Sequence, residues 1–202
     1  MRKLTAEDYV VMPWKNGGGT TTQLAISPAG ANLENFDWRT STAQVASDGH
    51  FSAFPGVDRS LAVLRGHGLI LAEGDGERCR LGEGADPFMF RGEQRITASL
   101  KGGPITDFNV MTRRSVCTHT LEVLEIRGTH RYTPRSDLML VHVVQGFKLA
   151  CLDSRGQLEV CKEGDSLLVD WREETEIELS ALPPLSVCIA HVTFKRIQGN
   201  KE

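Results

Sequence analysis

The sequence of 202 residues has no long hydrophobic run: no segment approaches the ~18 consecutive apolar residues that a membrane-spanning helix needs. Residues 1–11 include Glu7 and Asp8, and they lack the apolar core of a signal peptide. From these two absences we expect a cytoplasmic protein with no membrane partner.

Cysteine is scarce and odd in number: the five cysteines are widely spaced and form no Cys-x-x-Cys pair. This pattern is typical of buried, reduced thiols, and it argues against a zinc knuckle or a thioredoxin-type redox site. Basic residues are not in excess either, because the formal net charge is −3 and the lysines and arginines are scattered. The sequence therefore gives no electrostatic reason to expect a nucleic-acid partner.

Short segments that alternate apolar and polar residues fill the chain, whereas no capped amphipathic stretch of helical length occurs. The predicted strands cover residues 20–26, 37–46, 61–71, 95–100, 105–111, 121–126, 138–144, 147–152, 166–170 and 185–194. Many short strands at this spacing predict an all-β sandwich or barrel. The clearest predicted hairpin spans residues 147–161, with its turn at Asp153-Ser154-Arg155-Gly156.

Two parts of the chain look like variants of one unit, because each reads strand, glycine turn, strand, and then a strand bounded by glycine. Gly66 and Gly84 punctuate the first unit, and Gly146 and Gly164 punctuate the second. These spacings fit the glycine frame of the two cupin sequence motifs. We therefore predict an all-β bicupin: two double-stranded β-helix (RmlC-like cupin) barrels packed together. The first barrel is predicted to span residues 1–115 and the second residues 116–202. An exchange of strands between the two halves is an open alternative.

In cupins, three histidines and one glutamate of these motifs bind a metal ion. Here those positions hold Ser52, Phe54, Arg59 and Arg95 in the first half and Tyr132, Pro134, Met139 and Thr175 in the second. Guanidinium has no free lone pair with which to coordinate a cation. The six histidines also include no His-x-His pair. We therefore predict a protein with no metal and no other cofactor.

Four segments resemble the HutD/Ves family of bacterial bicupins. They are Met12-Pro13-Trp14-Lys15-Asn16-Gly17-Gly18-Gly19-Thr20, Trp38-Arg39-Thr40-Ser41-Thr42-Ala43, residues 48–59 and residues 107–114. The resemblance implies a bicupin fold and two directions of function. HutD proteins are associated with histidine utilisation and have been proposed to bind a metabolite such as formylglutamate, whereas Ves is linked to cold and stress responses.

Seven polar residues are the candidate ligand-binding residues: Lys15, Asn16, Arg39, Ser41, Arg59, Asn109 and Arg113. The glycine-rich turn at Lys15 and Asn16 has two open interpretations, a barrel-corner turn or a pocket rim whose backbone N–H groups bind an anion. Strand alternation groups Arg39 with Ser41, and Asp107 and Asn109 with Arg113, on faces that are either solvated or pocket-lining. Arginines bind carboxylates bidentately, so their presence near metal-ligand positions suggests a cavity for a small acid, with Arg39 and Arg113 foremost.

These observations predict a metal-free bicupin that binds a small carboxylic-acid metabolite, such as the histidine-degradation intermediate formylglutamate, in a sensing or regulatory role. One alternative is a metal-independent isomerase or hydrolase acting on a small acidic substrate. In that case His50 or His67 with Asp58 would serve as acid and base, although no nucleophile motif marks catalytic residues. A second alternative is an interaction protein without a small ligand. A homodimer is compatible with the sequence.

We expect the purified protein to contain no stoichiometric transition metal, because serine, phenylalanine and arginine stand at the ligand positions of the first half. Elemental analysis of protein prepared without chelators should find far less than one Fe, Mn or Zn ion per chain. A tightly held ion at about one per chain, lost when a histidine is substituted, would contradict this expectation.

Overall fold

The computed structural model describes residues 1–74 and 76–196, and within these residues it contains strands and turns but no helix. The strands are β1 (Arg2–Leu4), β2 (Val10–Pro13), β3 (Gly19–Ser27), β4 (Trp38–Val45), β5 (Gly49–His50), β6 (Val57–Arg65), β7 (Leu69–Glu73), β8 (Gly76–Leu81), β9 (Phe88–Arg91), β10 (Ile96–Leu100), β11 (Ile105–Arg113), β12 (Cys117–Tyr132), β13 (Leu138–Gln145), β14 (Leu149–Asp153), β15 (Leu158–Cys161), β16 (Ser166–Asp170) and β17 (Ile177–Phe194). The described residues therefore include no helix that is long and apolar enough to cross a membrane. The predicted all-β class is confirmed.

The strands form three antiparallel sheets. The six-stranded sheet has the order β2-β3-β4-β11-β6-β9, and the four-stranded sheet has the order β5-β10-β7-β8. The seven-stranded sheet runs β1-β16-β13-β17-β14-β15, and β12 pairs with β17 beside this path. The N-terminal strand β1 thus adds to a sheet whose other strands all follow residue 116, since Arg2 pairs with Leu168.

The six-stranded and four-stranded sheets face each other across one apolar cluster. Leu61, Val63 and Ile105 contribute from the first sheet, and Leu71 and Ile96 contribute from the second. Burial of these branched side chains accounts for the alternation that predicted the strands, because each strand turns every second residue toward the cluster.

The opposite face of the six-stranded sheet packs on the seven-stranded sheet. Trp38, Phe108 and Val110 from the former join Leu140 and Ala190 from the latter in a second cluster of buried residues. Strand β11 is therefore buried on both faces, with Phe108 and Val110 on one side and Asp107, Asn109 and Met111 on the other. Seven of its nine residues are buried, and only Thr106 and Arg113 are partly exposed.

The internal repeat predicted from the glycines has a counterpart in strand pairing. Strand β6 pairs with β9 and β7 with β8, while β13 pairs with β16 and β14 with β15. Gly66 and Gly146 form the equivalent turns with φ of 103° and 136°, a region that favours glycine. A Cβ added at Gly146 would lie 2.3 Å from the Leu185 side chain. The predicted hairpin at 147–161 is also confirmed, with the Gly156 N–H donating to the Asp153 carbonyl at 3.0 Å.

Two buried histidines lie where the six-stranded and seven-stranded sheets meet. The His142 ring lies 5.6 Å from the Phe108 ring and is hydrogen-bonded through Nδ1 to Ser166 at 2.9 Å. His119 is hydrogen-bonded to the hydroxyls of Thr112 at 2.7 Å and Ser60 at 2.9 Å. Burial lowers the pKa of both imidazoles to about 4. Both rings are consequently neutral at pH 7.

We expect mild acid to destabilise the fold through these histidines. In the unfolded chain each imidazole takes up a proton near pH 6.5, whereas in the native state it does so only near pH 4, so their stabilising contribution is present above pH 6.5 and is lost as the pH falls toward 4. Urea unfolding at pH 7 and pH 5 should show that His142→Gln loses roughly 1–3 kcal/mol less stability over this interval than the wild type. The exposed His130→Gln variant is the control, and an equal loss in wild type and His142→Gln would contradict the expectation.

Candidate ligand-binding cavity

A cavity of about 550 Å³ opens beside the apolar cluster of the six-stranded sheet. Its walls come from β4, β6 and β11, from the turn between β2 and β3, and from residues 47–54. This volume is within the range of pockets that hold small metabolites. The cavity brings together six of the seven predicted ligand-binding residues: Lys15, Asn16, Arg39, Ser41, Arg59 and Asn109.

The register of three neighbouring strands sets these side chains in rows across the cavity wall. Met111 of β11 pairs with Arg39 of β4 and with Arg59 of β6, so the two arginines lie in one row, hereafter the arginine row. The next rows along β11 pair Asn109 with Ser41 and Asp107 with Ala43. The wall therefore has cationic donors at one end, an amide and a hydroxyl in the middle, and a carboxyl group at the other end.

Arg59 is held in an aromatic cage made of Phe51, Phe54 and Phe90. Its guanidinium carbon lies 5.0, 5.5 and 4.9 Å from the centres of these three rings. Nη1 donates a hydrogen bond to the Ser52 carbonyl at 3.2 Å, whereas the buried Nε has no partner. Burial lowers the pKa of Arg59 to about 10, so the side chain keeps its charge at neutral pH. The cage fixes the guanidinium and leaves a donor free.

Arg39 is equally buried, with 5% of its surface exposed, and its contacts are to neutral groups. Its Nε donates to the Gln23 side-chain oxygen at 2.8 Å, and Nη1 donates to the Ser41 hydroxyl at 3.4 Å. Burial lowers its pKa to about 10. Within residues 1–74 and 76–196, neither arginine of the row has a carboxylate within 4.0 Å. The positive charge of the row thus has no ion-pair partner within the described chain.

Asp107 lies at the far end of the wall with only 2% of its surface exposed. Its Oδ1 atom is buried without a hydrogen-bond partner, as is the Oδ1 atom of Asn109 on the next row. Burial raises the pKa of Asp107 to about 7, although the charge of Arg59 and a hydrogen bond from the Ala43 backbone oppose that rise. The alternation that singled out Asn109 applies equally to Asp107, which was placed on the same face but was not among the predicted ligand-binding residues.

The glycine-rich turn serves both as a corner and as part of the cavity rim. Gly17 and Gly18 donate their N–H groups to the Trp14 carbonyl and to the Asn16 side chain at 3.0 Å each, so these two donors are used within the turn. A Cβ added at Gly19 would lie 2.4 Å from the Gln44 carbonyl oxygen, which explains the third glycine. The turn contributes the side chains of Trp14, Lys15 and Asn16 to the cavity.

Arg113 does not line the cavity. Its guanidinium donates to the carbonyl of Phe36 at 3.0 Å and to that of Glu34 at 2.7 Å, because β11 continues beyond the cavity and meets the loop before β4 there. The exposed Arg95 is also outside it. Of the groups considered for acid–base chemistry, His50 lines the rim, whereas Asp58 accepts a hydrogen bond from Arg114 at 2.8 Å and His67 is exposed elsewhere.

The residues at the cupin ligand positions do not fit a divalent metal. Ser52, Phe54 and Arg59 line the cavity, and a guanidinium group repels a cation that these neutral neighbours cannot hold. In the described part of the chain no three His, Cys, Asp or Glu side chains come close enough together to bind a metal ion. In the second half, Met139 lies inside the apolar cluster of the seven-stranded sheet.

The fold is that of a cupin-like β protein. A cupin 2 conserved barrel domain protein from Leptotrichia buccalis has a TM-score of 0.57 with this chain, with 90% of this chain and 92% of that one covered at 11% identity, which compares the fold alone. The model of the HutD family matches residues 6–186. The chain therefore belongs to the HutD family, and the predicted resemblance is confirmed.

Relatives and solved structures agree with this assignment. An uncharacterized 21.2 kDa protein from the hutC 3′ region of Pseudomonas putida is 41% identical over 55% of this chain and 57% of its own length. Protein Ves of Cronobacter sakazakii is 36% identical over 66% of this chain and 70% of its own. The chain thus matches little more than half of the first of these relatives.

Two solved structures are similar over nearly their whole length. HutD from Pseudomonas fluorescens SBW25 has a TM-score of 0.80 and 32% identity over 96% of this chain and 99% of its own. A conserved protein of unknown function from Pseudomonas aeruginosa PAO1 has a TM-score of 0.86 and 30% identity over 95% of this chain and 98% of its own.

Asp107→Asn should stabilise the ligand-free protein, and more so at higher pH. Because the native carboxyl pKa is raised from 3.8 to about 7, ionisation of Asp107 destabilises the native state as the pH rises through this interval, and the amide removes that cost. Urea unfolding should give a gain about 2–3 kcal/mol larger at pH 8 than at pH 5. Asp86→Asn, at an exposed position, is the control; a pH-independent effect of Asp107→Asn would contradict the expectation.

Proposed function

We propose that this protein binds a small carboxylic-acid metabolite in the cavity, with the arginine row as the anion-binding element. The observation that carries this proposal is the pair of buried arginines, Arg39 and Arg59, that share one cavity and have no carboxylate partner in the described residues. A buried charge costs free energy unless another charge or hydrogen bonds match it. A bound carboxylate supplies both, because guanidinium donors match its two oxygens.

The arrangement favours binding because it is fixed before the ligand arrives. The aromatic cage immobilises Arg59, and Gln23 holds Arg39, so little side-chain freedom is lost on binding. The unpartnered Nε of Arg59 is a donor available to the ligand. Apolar lining residues, among them Leu69 and Ala98, suit a short methylene chain between polar groups.

The family relationship supports a histidine-degradation acid such as formylglutamate as the ligand. One relative comes from the hutC region, and the solved HutD protein of Pseudomonas fluorescens is described for a formate condition, formate being the smallest carboxylate. In this proposal the protein is cytoplasmic and senses the metabolite.

We further propose that the chain is a bicupin, with barrels at 1–115 and 116–202 and with β1 exchanged into the second. The matching pairs β6–β9 with β13–β16, and β7–β8 with β14–β15, support this arrangement. Only the first barrel would bind ligand, because Met139 packs in an apolar cluster at the position equivalent to Arg59. Association as a homodimer stays a prediction.

A second candidate function is an acid–base enzyme acting on the same acid, and Asp107 is the observation in its favour. A buried carboxyl group whose pKa is raised to about 7, inside a ligand-sized cavity, is suited to move a proton at neutral pH. Turnover of a bound acid that is lost in Asp107→Asn while binding persists would support this function. Saturable binding without product favours the sensing role.

Arg39→Ala and Arg59→Ala should each weaken binding of the cognate acid about ten- to a hundredfold, since one charge-assisted hydrogen bond contributes roughly 1.5–3 kcal/mol. Calorimetry with formylglutamate, urocanate, glutamate and formate provides the measurement, after a thermal-shift screen in which a true ligand raises the melting temperature. Arg91→Ala, an exposed arginine on β9 next to the cage residue Phe90, is the matched control and should bind like the wild type.

Two results would count against the carboxylate site. One is a screen in which no acid raises the melting temperature at millimolar concentration. The other is a confirmed ligand that Arg39→Ala and Arg59→Ala bind as tightly as the wild type does. In either case a protein partner becomes the better candidate for the physiological ligand.

A further inference from the structure

We propose that Asp107 makes this cavity selective for acids that carry a hydrogen-bond donor at the end away from the carboxylate. The donor would be an amide N–H, a hydroxyl or an ammonium group. This inference rests on the proposed function, because it takes the arginine row as the place where the carboxylate binds. It adds the second recognition element and thereby narrows the class of ligand.

The unpartnered oxygen of Asp107 is the main observation. The carboxyl group is 2% exposed, lines the cavity, and has one oxygen, Oδ1, without a hydrogen-bond partner among the described residues. An ionised carboxylate can only accept hydrogen bonds, and a buried acceptor without a donor is costly. Asn109, one row closer to the arginines, has a second unpartnered oxygen on the same wall. This part of the cavity wall therefore has two hydrogen-bond acceptors that no donor of the described residues satisfies.

The spacing along β11 determines the length of the ligand. Met111 lies in the arginine row, and Asp107 lies four residues away on the same face, which corresponds to roughly 13 Å of strand at about 3.3 Å per residue. The long side chains of Arg39 and Arg59 shorten the gap that a ligand has to bridge. A carboxylate joined by a few methylene groups to an amide or hydroxyl fits this spacing, whereas formate reaches the arginine row alone.

Charged groups around Asp107 come from several elements. Arg59 on β6 and Arg39 on β4 lie on the same wall, while Lys15, Asp48 and His50 lie at the rim. A ligand donor favours the ionised carboxylate, so its binding releases a proton and tightens as the pH rises. A ligand that presents an acceptor instead favours the protonated form, and its binding tightens as the pH falls. The sign of the pH dependence therefore reports which group of the ligand meets Asp107.

The test compares two probes that share a spacer of three methylene groups and differ at the distal end. Glutaramate has a carboxylate and a terminal amide with N–H donors, whereas monomethyl glutarate has a carboxylate and an ester with no donor. At pH 8, where Asp107 is mostly ionised, we expect the wild type to bind glutaramate at least about tenfold more tightly, because the ester has no donor for the carboxylate. In Asp107→Ala the two probes should bind within about twofold of each other.

The pH profile gives a second readout that does not depend on the folding of Asp107→Ala. Calorimetric affinity of the wild type for glutaramate should rise about tenfold between pH 6 and pH 8, as a group titrating near 7 predicts. Asp107→Asn should bind glutaramate with a flat profile over this range. His67→Gln, at an exposed position away from the cavity, is the control and should keep the slope of the wild type.

The outcomes separate this inference from the proposed function. Equal affinity of the wild type for both probes, with binding still lost in Arg39→Ala and Arg59→Ala, would overturn the selectivity and leave the carboxylate site intact. A slope that persists in Asp107→Asn would likewise overturn it. If neither probe binds and no other carboxylic acid does, the proposed function itself fails, and with it this inference.

Discussion

The pairing of β11 with both β4 and β6 is the constraint on which the rest of the structure depends. In this register Phe108 and Val110 enter the contact with the seven-stranded sheet, while Asp107 and Asn109 face the cavity. Because side chains alternate, a slip of one residue would bury the polar set in the apolar contact and expose the apolar set to the cavity. One strand therefore fixes both the packing of the sheets and the composition of the cavity.

The polar atoms of the cavity that have no hydrogen-bond partner oppose the stability of the fold. Arg59, Asp107 and Asn109 each have a buried atom without a hydrogen bond, and all three line the same cavity. Buried polar groups in proteins are nearly always satisfied, so these three exceptions support the proposal that another molecule completes the network. The fold tolerates this deficit because the apolar clusters on both faces of the six-stranded sheet are extensive.

Much of the fold could be predicted from the sequence, because alternation and glycine spacing are local signals. The strand at 166–170 coincides with β16, and the turn at 153–156 has the expected hydrogen bond. The same alternation correctly grouped Arg39 with Ser41. It could not show that β11 runs past the cavity, which is why Arg113 binds loop carbonyls instead of lining the wall.

Other parts of the site depend on contacts between distant segments, and no local pattern indicates them. The cage around Arg59 needs Phe90 from an edge strand as well as Phe51 and Phe54 from the segment before β6. The raised pKa of Asp107 comes from its burial under neighbouring strands. Sequence periodicity shows which face of β11 the residue lies on, but it does not show that this face is buried. Strand β1 was also missed, since its three residues are too few to show a period.

The position of Trp14 has a practical consequence. Of the three tryptophans, Trp14 lines the cavity, whereas Trp38 and Trp171 are buried in the apolar clusters with 4% and 8% of their surface exposed. A molecule that enters the cavity changes the surroundings of one indole and leaves the other two in packed protein. The intrinsic fluorescence of the chain is thus a built-in optical reporter of cavity occupancy, available without any label.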